Sequence, residues 1–424
     1  MKSALSRAVT VLWIVSALVG CTATKTFRTD HTPRLQQAHG AMRDVLLVGN
    51  SVSGTISVIL VDGANYERVG DINVIPDKAE RLREIESGFL SRAIYKRIKN
   101  AQLITHFEPS SGDRFVDDVF LSPDGTMLFV SRSNLGDVAA FDLSSPGFPM
   151  TWRTLVKGRK ADHATISKDA IEPRIVVSAS VAKRAYVLDT KTGVSVGSFP
   201  TGVLPHQNDY VGKHIYNGSL GDLRKPFAKN REKGDRLLTI VDSQSLKVVD
   251  SIPFDWGIRP TVITDDESMM YVQLSYLNGL MKYDLRNKRI VSVLDQPLSA
   301  FARNTYKSPD EYPHDSAHHG LAISGDGTLL CDCGTIDNNV SIVSTGDLKV
   351  VATLEEIGAI PYWATTSADG QHCIVSLSGQ AEVVVIHYAT HQVVSRVQVG
   401  TFPQRNRVGR MPDDIVRGIA AASR

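Results

Sequence analysis

The chain has 424 residues, 42% of them hydrophobic, which is enough to bury a large core. Its 47 basic residues against 45 acidic leave a net charge of +2, a near-balance that gives no support to a nucleic-acid partner, which would need a strongly basic face. A length that would otherwise suggest two or three domains makes internal repeats the first thing to seek.

The chain opens on a positive leader with Lys2 and Arg7, then an apolar run over residues 9–19 that is too short for a transmembrane span. The run ends in Leu18-Val19-Gly20-Cys21, which resembles the lipobox of bacterial lipoproteins. That resemblance implies a signal peptide over residues 1–20, acylation of Cys21 and a lipid-anchored protein in the periplasm. The anchor would make the membrane itself a partner. Thr22 is not the aspartate that favours inner-membrane retention in some bacteria, so the outer membrane is the expected destination. Residues 21–43 read as a polar tail.

From residue 44 onward one pattern recurs: a loop entry, a short strand, a turn of Ser-x-Asp-Gly type, and further short strands rich in β-branched residues. The first copy begins on the strands at 45–51 and 54–58, with no strand before it. An insertion at 77–114 follows and reads as helical. Leu82, Ile85, Phe89, Ala93, Ile94 and Ile98 fall near one face. Glu80, Glu84 and Glu86 argue that this face packs on the protein and not on a membrane. The clearest copy comes next: Asp118, then the turn Ser122-Pro123-Asp124-Gly125, then strands at 127–133 and 137–142. Four more begin at His163, His206, Arg259 and His319, and another at Trp363. The long connection 301–317 is expected to form a lid. The seventh copy is split. Arg417-Gly418-Ile419-Ala420 matches His319-Gly320-Leu321-Ala322, so residues 410–424 are expected to supply the innermost strand missing from the first copy, with 416–421 beside 45–51. Such closure removes open sheet edges.

Three cysteines remain beyond Cys21: Cys331, Cys333 and Cys373. They allow at most one internal disulfide and leave a thiol over. Cys331 and Cys333 point to one face of a strand, and burial in the core is expected, because no paired Cys-x-x-Cys accompanies them to make a zinc site.

These copies resemble the YVTN β-propeller repeat family. The residues that carry the resemblance are Leu204-Pro205-His206, the Ser122 to Gly125 turn, Ile215-Tyr216-Asn217 and Val187-Leu188-Asp189. The resemblance implies an all-β, seven-bladed β-propeller over 44–424, with the helical insertion in the first blade-to-blade connection. It does not imply an activity, since propellers host enzymes and plain binding modules alike.

In a propeller the residue entering each innermost strand sits at one mouth of the central channel. Here these are Asp118, His163, His206, Arg259, His319, Trp363 and Arg417, four of them following Asp117, Asp162, His318 and Tyr362. Four of the chain's twelve histidines fall in this set. Three readings stay open. A ligand mouth would use Arg259 and Arg417 for an anion and Trp363 for stacking. A metal site would use His163, His206 and His319 with Asp118, and a divalent transition metal would be its cofactor. The third reading is that the histidines serve blade packing. The expected function is therefore a membrane-anchored periplasmic propeller that binds a small polar or anionic ligand, or an envelope protein. A metal-assisted hydrolase, lyase or oxidoreductase is the alternative. Gly-rich nucleotide loops and nucleophile elbows are absent.

Overall fold

The computed structural model describes residues 24–31, 40–101, 112–158, 160–167, 169 and 171–423. The expected signal peptide and Cys21 lie outside the described residues. The described strands form seven antiparallel sheets, one per blade. Their innermost strands, in ring order, are Pro403–Pro412, Asp118–Leu121, Ala161–Ile166, Pro205–Val211, Ile258–Ile263, Leu321–Ile323 and Pro361–Thr366. Each touches the next, and Pro361–Thr366 touches Pro403–Pro412, so the ring closes as a seven-bladed β-propeller.

The local reason lies in the strand sequences. Along the strand Met42–Asn50, Val45 and Leu47 pack against Val119 and Val130 of the second blade. The alternate residues Leu46 and Val48 pack against Ile374, Val383 and Val385 of the seventh. Period-two alternation therefore serves two neighbours at once, and inner strands read as continuous apolar runs. Fourth strands of several blades face solvent, as Val249, Ile290, Val293 and Val351 show by their exposure.

The closing strand differs from the sequence expectation. Residues 45–50 pair with 403–409, in the register Val45 opposite Gly409 and Gly49 opposite Arg405. Residues 416–421 belong instead to a helix, Asp413–Ala422. Asp413 and Asp414 sit in its first turn, where the helix dipole favours acids. Ile415, Val416 and Ile419 form one buried face against the first blade. The four-residue match to 319–322 was too short to distinguish this helix from a strand. Part of the expected polar tail is also ordered as sheet. Lys25–Arg28 pairs with Met150–Leu155 and covers the outer edge of the second blade.

The helical insertion is present as α1 (Lys78–Ser87) and α2 (Phe89–Ala101). Gly88 is extended, with φ −98° and ψ 127°, and breaks the continuous stripe expected there. Ile85 and Ile98 are buried, but Phe89 is 80% exposed. The insertion is held down mainly by charge. Buried Arg81 donates to Leu135 O at 2.8 Å, and Arg132 pairs with Asp77 just ahead of α1. Among the described residues no helix is long and apolar enough to cross a membrane.

Cys331 and Cys373 form a disulfide, and Cys333 is a buried thiol. The bond staples the sixth blade to the seventh and closes a loop with a sequence separation of 42. Cys373→Ser should cost about 2–4 kcal/mol. Urea unfolding with and without reductant measures it; equal midpoints would show that the staple contributes nothing.

Candidate functional site: the histidine floor of the channel mouth

Five of the seven expected residues gather at the channel mouth, and three of them, the histidines, form one cluster. His163, His206 and His319 are buried, and one ring nitrogen or other donor atom of each lies within 4.8 Å of the others. The His163 and His206 rings are 3.6 Å apart between centroids, and His206 Nε2 is 3.5 Å from His319 Nε2.

Their neighbours fix the tautomers. His319 Nδ1 lies 2.9 Å from the Tyr362 carbonyl, which only accepts, so Nδ1 carries the proton and Nε2 a lone pair. His163 Nδ1 lies 3.1 Å from Gln207 Oε1. The Gln207 amide nitrogen donates to Asp209 at 3.0 Å, which turns Oε1 toward the imidazole and makes His163 Nδ1 the donor. His163 Nε2 then has a lone pair and no partner, 3.8 Å from Asp117 and 3.9 Å from Asp162. His206 Nδ1 is 3.3 Å from the Asp162 carboxylate, which favours a proton there too. With His206 protonated on Nδ1, the Nε2 lone pairs of His206 and His319 face one another at 3.5 Å, an arrangement that is repulsive until a cation or a water donor occupies it, and a ring nitrogen of His163 lies within 4.8 Å of both histidines.

Burial keeps these rings neutral. It holds His163 and His319 well below the usual histidine range, with the Arg405 charge adding to the effect. It holds His206 down to about 4, against the pull of Asp162. The acids beside them split. Burial and the Asp162 charge push Asp117 well up. Asp162 is held well down, because Lys160, at 3.0 Å, and His206 outweigh its burial. The site therefore offers imidazoles biased to the neutral form, one carboxyl biased toward protonation and one biased toward the carboxylate.

A pH consequence follows. A histidine that resists protonation in the fold, but not in the unfolded chain, lets the unfolded state bind more protons below about pH 6.5. Its contribution is complete above that pH and is lost as pH falls toward the folded value. In chelator, the wild type should lose about 3 kcal/mol more stability between pH 7 and 4 than His206→Gln. Parallel urea titrations at the two pH values check this; matching losses would contradict it.

The other expected residues are placed as follows. Trp363 abuts the cluster, 5.9 Å from the His163 ring and 6.3 Å from the His319 ring. Arg259 is buried above it and donates to Ser275 Oγ at 3.1 Å and to the His314 carbonyl. Asp118 turns away and forms a two-pronged pair with Arg407 at 2.9 and 2.8 Å. Arg407 lines a separate cavity of about 220 Å³ toward the far ends of the innermost strands. Arg417 is not at the mouth. It sits on the helix Asp413–Ala422, largely exposed and paired with Asp413. His318 also stays out, bonded to Asp332 at 2.9 Å.

Arg405 holds the place expected of Arg417. It is fully buried, stacks over Trp363 at 4.0 Å and lies 3.7 Å from Asp117. A signal for it was present in the chain. Gly-x-x-Pro recurs at 202–205, 358–361 and 400–403, and five residues past each glycine stand Gln207, Trp363 and Arg405. The residue before each proline, Leu204, Ile360 or Phe402, has positive φ. The asparagine after the first and third motifs donates in both cases to a serine on the second strand of the preceding blade: Asn208 to Ser178 at 2.9 Å and Asn406 to Ser376 at 2.8 Å.

Above this floor lies a cavity of about 660 Å³. Arg114, Lys160 and Arg259 supply positive charge beside Asp117, Asp162 and His206. The segment 310–315 and α2 form walls, so the expected lid connection does border the mouth. Asp315 is tied down by Lys233 at 2.6 Å. No family model matches the chain, and no curated protein matches it.

Proposed function

We propose that this protein is an exported, lipid-anchored propeller that binds a small polar or anionic ligand in the channel-mouth cavity, with a divalent transition metal on His163, His206 and His319 as part of the site. The observation that carries the reading is the set of neutral imidazoles whose Nδ1 atoms face Gln207, Tyr362 O and Asp162, with the Nε2 atoms of His206 and His319 opposed at 3.5 Å and one ring nitrogen of each of the three within 4.8 Å of the others. Outer partners of this kind are the usual support of metal-bound histidines. The donor set fits zinc. Tetrahedral bonds of about 2.0–2.1 Å place ligand nitrogens roughly 3.3 Å apart, close to the 3.5 Å between His206 and His319. A bound divalent ion would supply a Lewis-acidic anchor for a ligand oxygen. Arg114, Lys160 and Arg259 favour negative charge in the same space.

The lipobox-like Leu18-Val19-Gly20-Cys21 supports export and anchoring, and a buried disulfide suits an oxidising compartment such as the periplasm. Within the propeller class, the repeat motifs favour the YVTN type. The metal-assisted enzyme remains the second reading because of one observation: ionised Asp162 lies within 3.9 Å of His163 Nε2, placed to accept a proton from a metal-bound ligand.

Calorimetric titration with acetate and with inorganic phosphate, with and without one equivalent of zinc, tests the binding function. Saturable binding is expected, weakened about tenfold or more in Arg259→Gln. Failure of both anions and of their longer-chain homologues to bind under either condition would overturn it.

A further inference from the structure

The chemistry of the cavity changes with height. Its floor is polar: His206, Asp117, Asp162, Lys160, Arg114 and Arg259. Its upper wall carries an apolar stripe flanked by the charged side chains Arg97, Lys183, Asp222 and Arg224. Ile94, Ile98 and Ala101 stand four and then three residues apart, on one face of α2, and all three line the cavity. Val181, Leu220 and Leu223 line the same cavity, with Val181 52% exposed. Phe402 carries the Arg114 guanidinium on its ring at 3.9 Å and so joins the two zones. A purely ionic ligand would use the floor and leave this wall wet.

Building on the proposed binding function, we infer that the ligand is an amphiphile: a single anionic oxygen head group seated on the floor, with a hydrocarbon body lying between α2 and residues 220–223. The cavity, at about 660 Å³, lies within the range of roughly 300–1,000 Å³ that encloses molecules of this size. The insertion after the first blade then has a role beyond decorating the ring. It turns an ionic mouth into one that discriminates by chain length. Carboxylate and phosphate monoester heads share the chemistry the floor recognises, through the fork of Arg259 and the neighbouring cations.

The test is a homologous series measured by calorimetry on the full chain, with and without one equivalent of zinc: acetate, butanoate, hexanoate and octanoate, then inorganic phosphate against monooctyl phosphate. Each added methylene should tighten binding about threefold to fourfold, in the acid series or in the phosphate pair, and the better series names the head group. Ile94→Asn and Leu223→Asn should each flatten the slope. A series in which acetate binds as tightly as octanoate, and phosphate as tightly as its octyl ester, overturns the amphiphile and leaves the anion-binding function standing. A slope that both variants leave intact places the hydrocarbon elsewhere and also overturns it. Binding by none of the six compounds removes the binding function itself.

Discussion

His206→Ala is expected to weaken divalent transition-metal binding by at least about a hundredfold, and His163→Ala together with His206→Ala to abolish it. The expectation rests on convergence. His206 Nε2 faces His319 Nε2 at 3.5 Å, and His163 Nε2 has no partner among the described residues. Losing one of three nitrogens leaves two, too few to compete with chelator, and changes in the outer partners alone typically cost ten- to a hundredfold. Gln207→Leu is therefore a graded companion. It removes the acceptor that keeps the proton on His163 Nδ1 and should cost about tenfold. Zinc, copper and nickel content after dialysis, with competition against a chromophoric chelator, measures both. A wild type that retains none of these metals, or a His206→Ala protein that retains them fully, defeats the metal centre.

Arg132→Met is expected to destabilise the fold by about 3–5 kcal/mol and to release α1. Arg132 is fully buried. It donates to Asp137 at 2.7 and 2.9 Å and to Asp77 at 2.5 and 3.1 Å. Methionine fills much of the volume but leaves two carboxylates facing each other, one of them completely enclosed. Arg81 and Arg153, 3.5 and 4.0 Å from Asp137, offset only part of that charge. Since Asp77 precedes α1, its release should expose the 78–101 segment to protease before the ring unfolds. Urea midpoints and limited proteolysis read the two effects. A loss under about 1 kcal/mol, with unchanged cleavage, would mean that the pair is dispensable.

Much of this architecture was legible because the blade is a local object. Turn signals such as Ser122 to Gly125, strands of β-branched residues and the entry residues His163, His206 and His319 repeat along the chain, and each blade folds mainly on contacts within itself and with its neighbours. The histidine cluster followed from that periodicity, because equivalent positions on successive inner strands must meet at the axis. The closing segment was misplaced for a related reason. Arg417-Gly418-Ile419-Ala420 imitates a strand entry over four residues, whereas the actual entry at 400–405 lacks the histidine that marked three of the others. Position 405 therefore escaped notice, and with it the guanidinium that stacks on Trp363.

By itself, then, the sequence determined the number of blades, the presence of a helical insertion and which histidines share the axis, since all three depend on short-range periodicity. The tertiary structure alone decided which segment closes the ring, which cysteines join, which ring nitrogens keep their lone pairs and what stands above them. Those outcomes depend on side chains far apart in the chain, such as Cys331 with Cys373 or His319 with Tyr362, and on the exclusion of water around them. No local pattern encodes either the distance or the dryness.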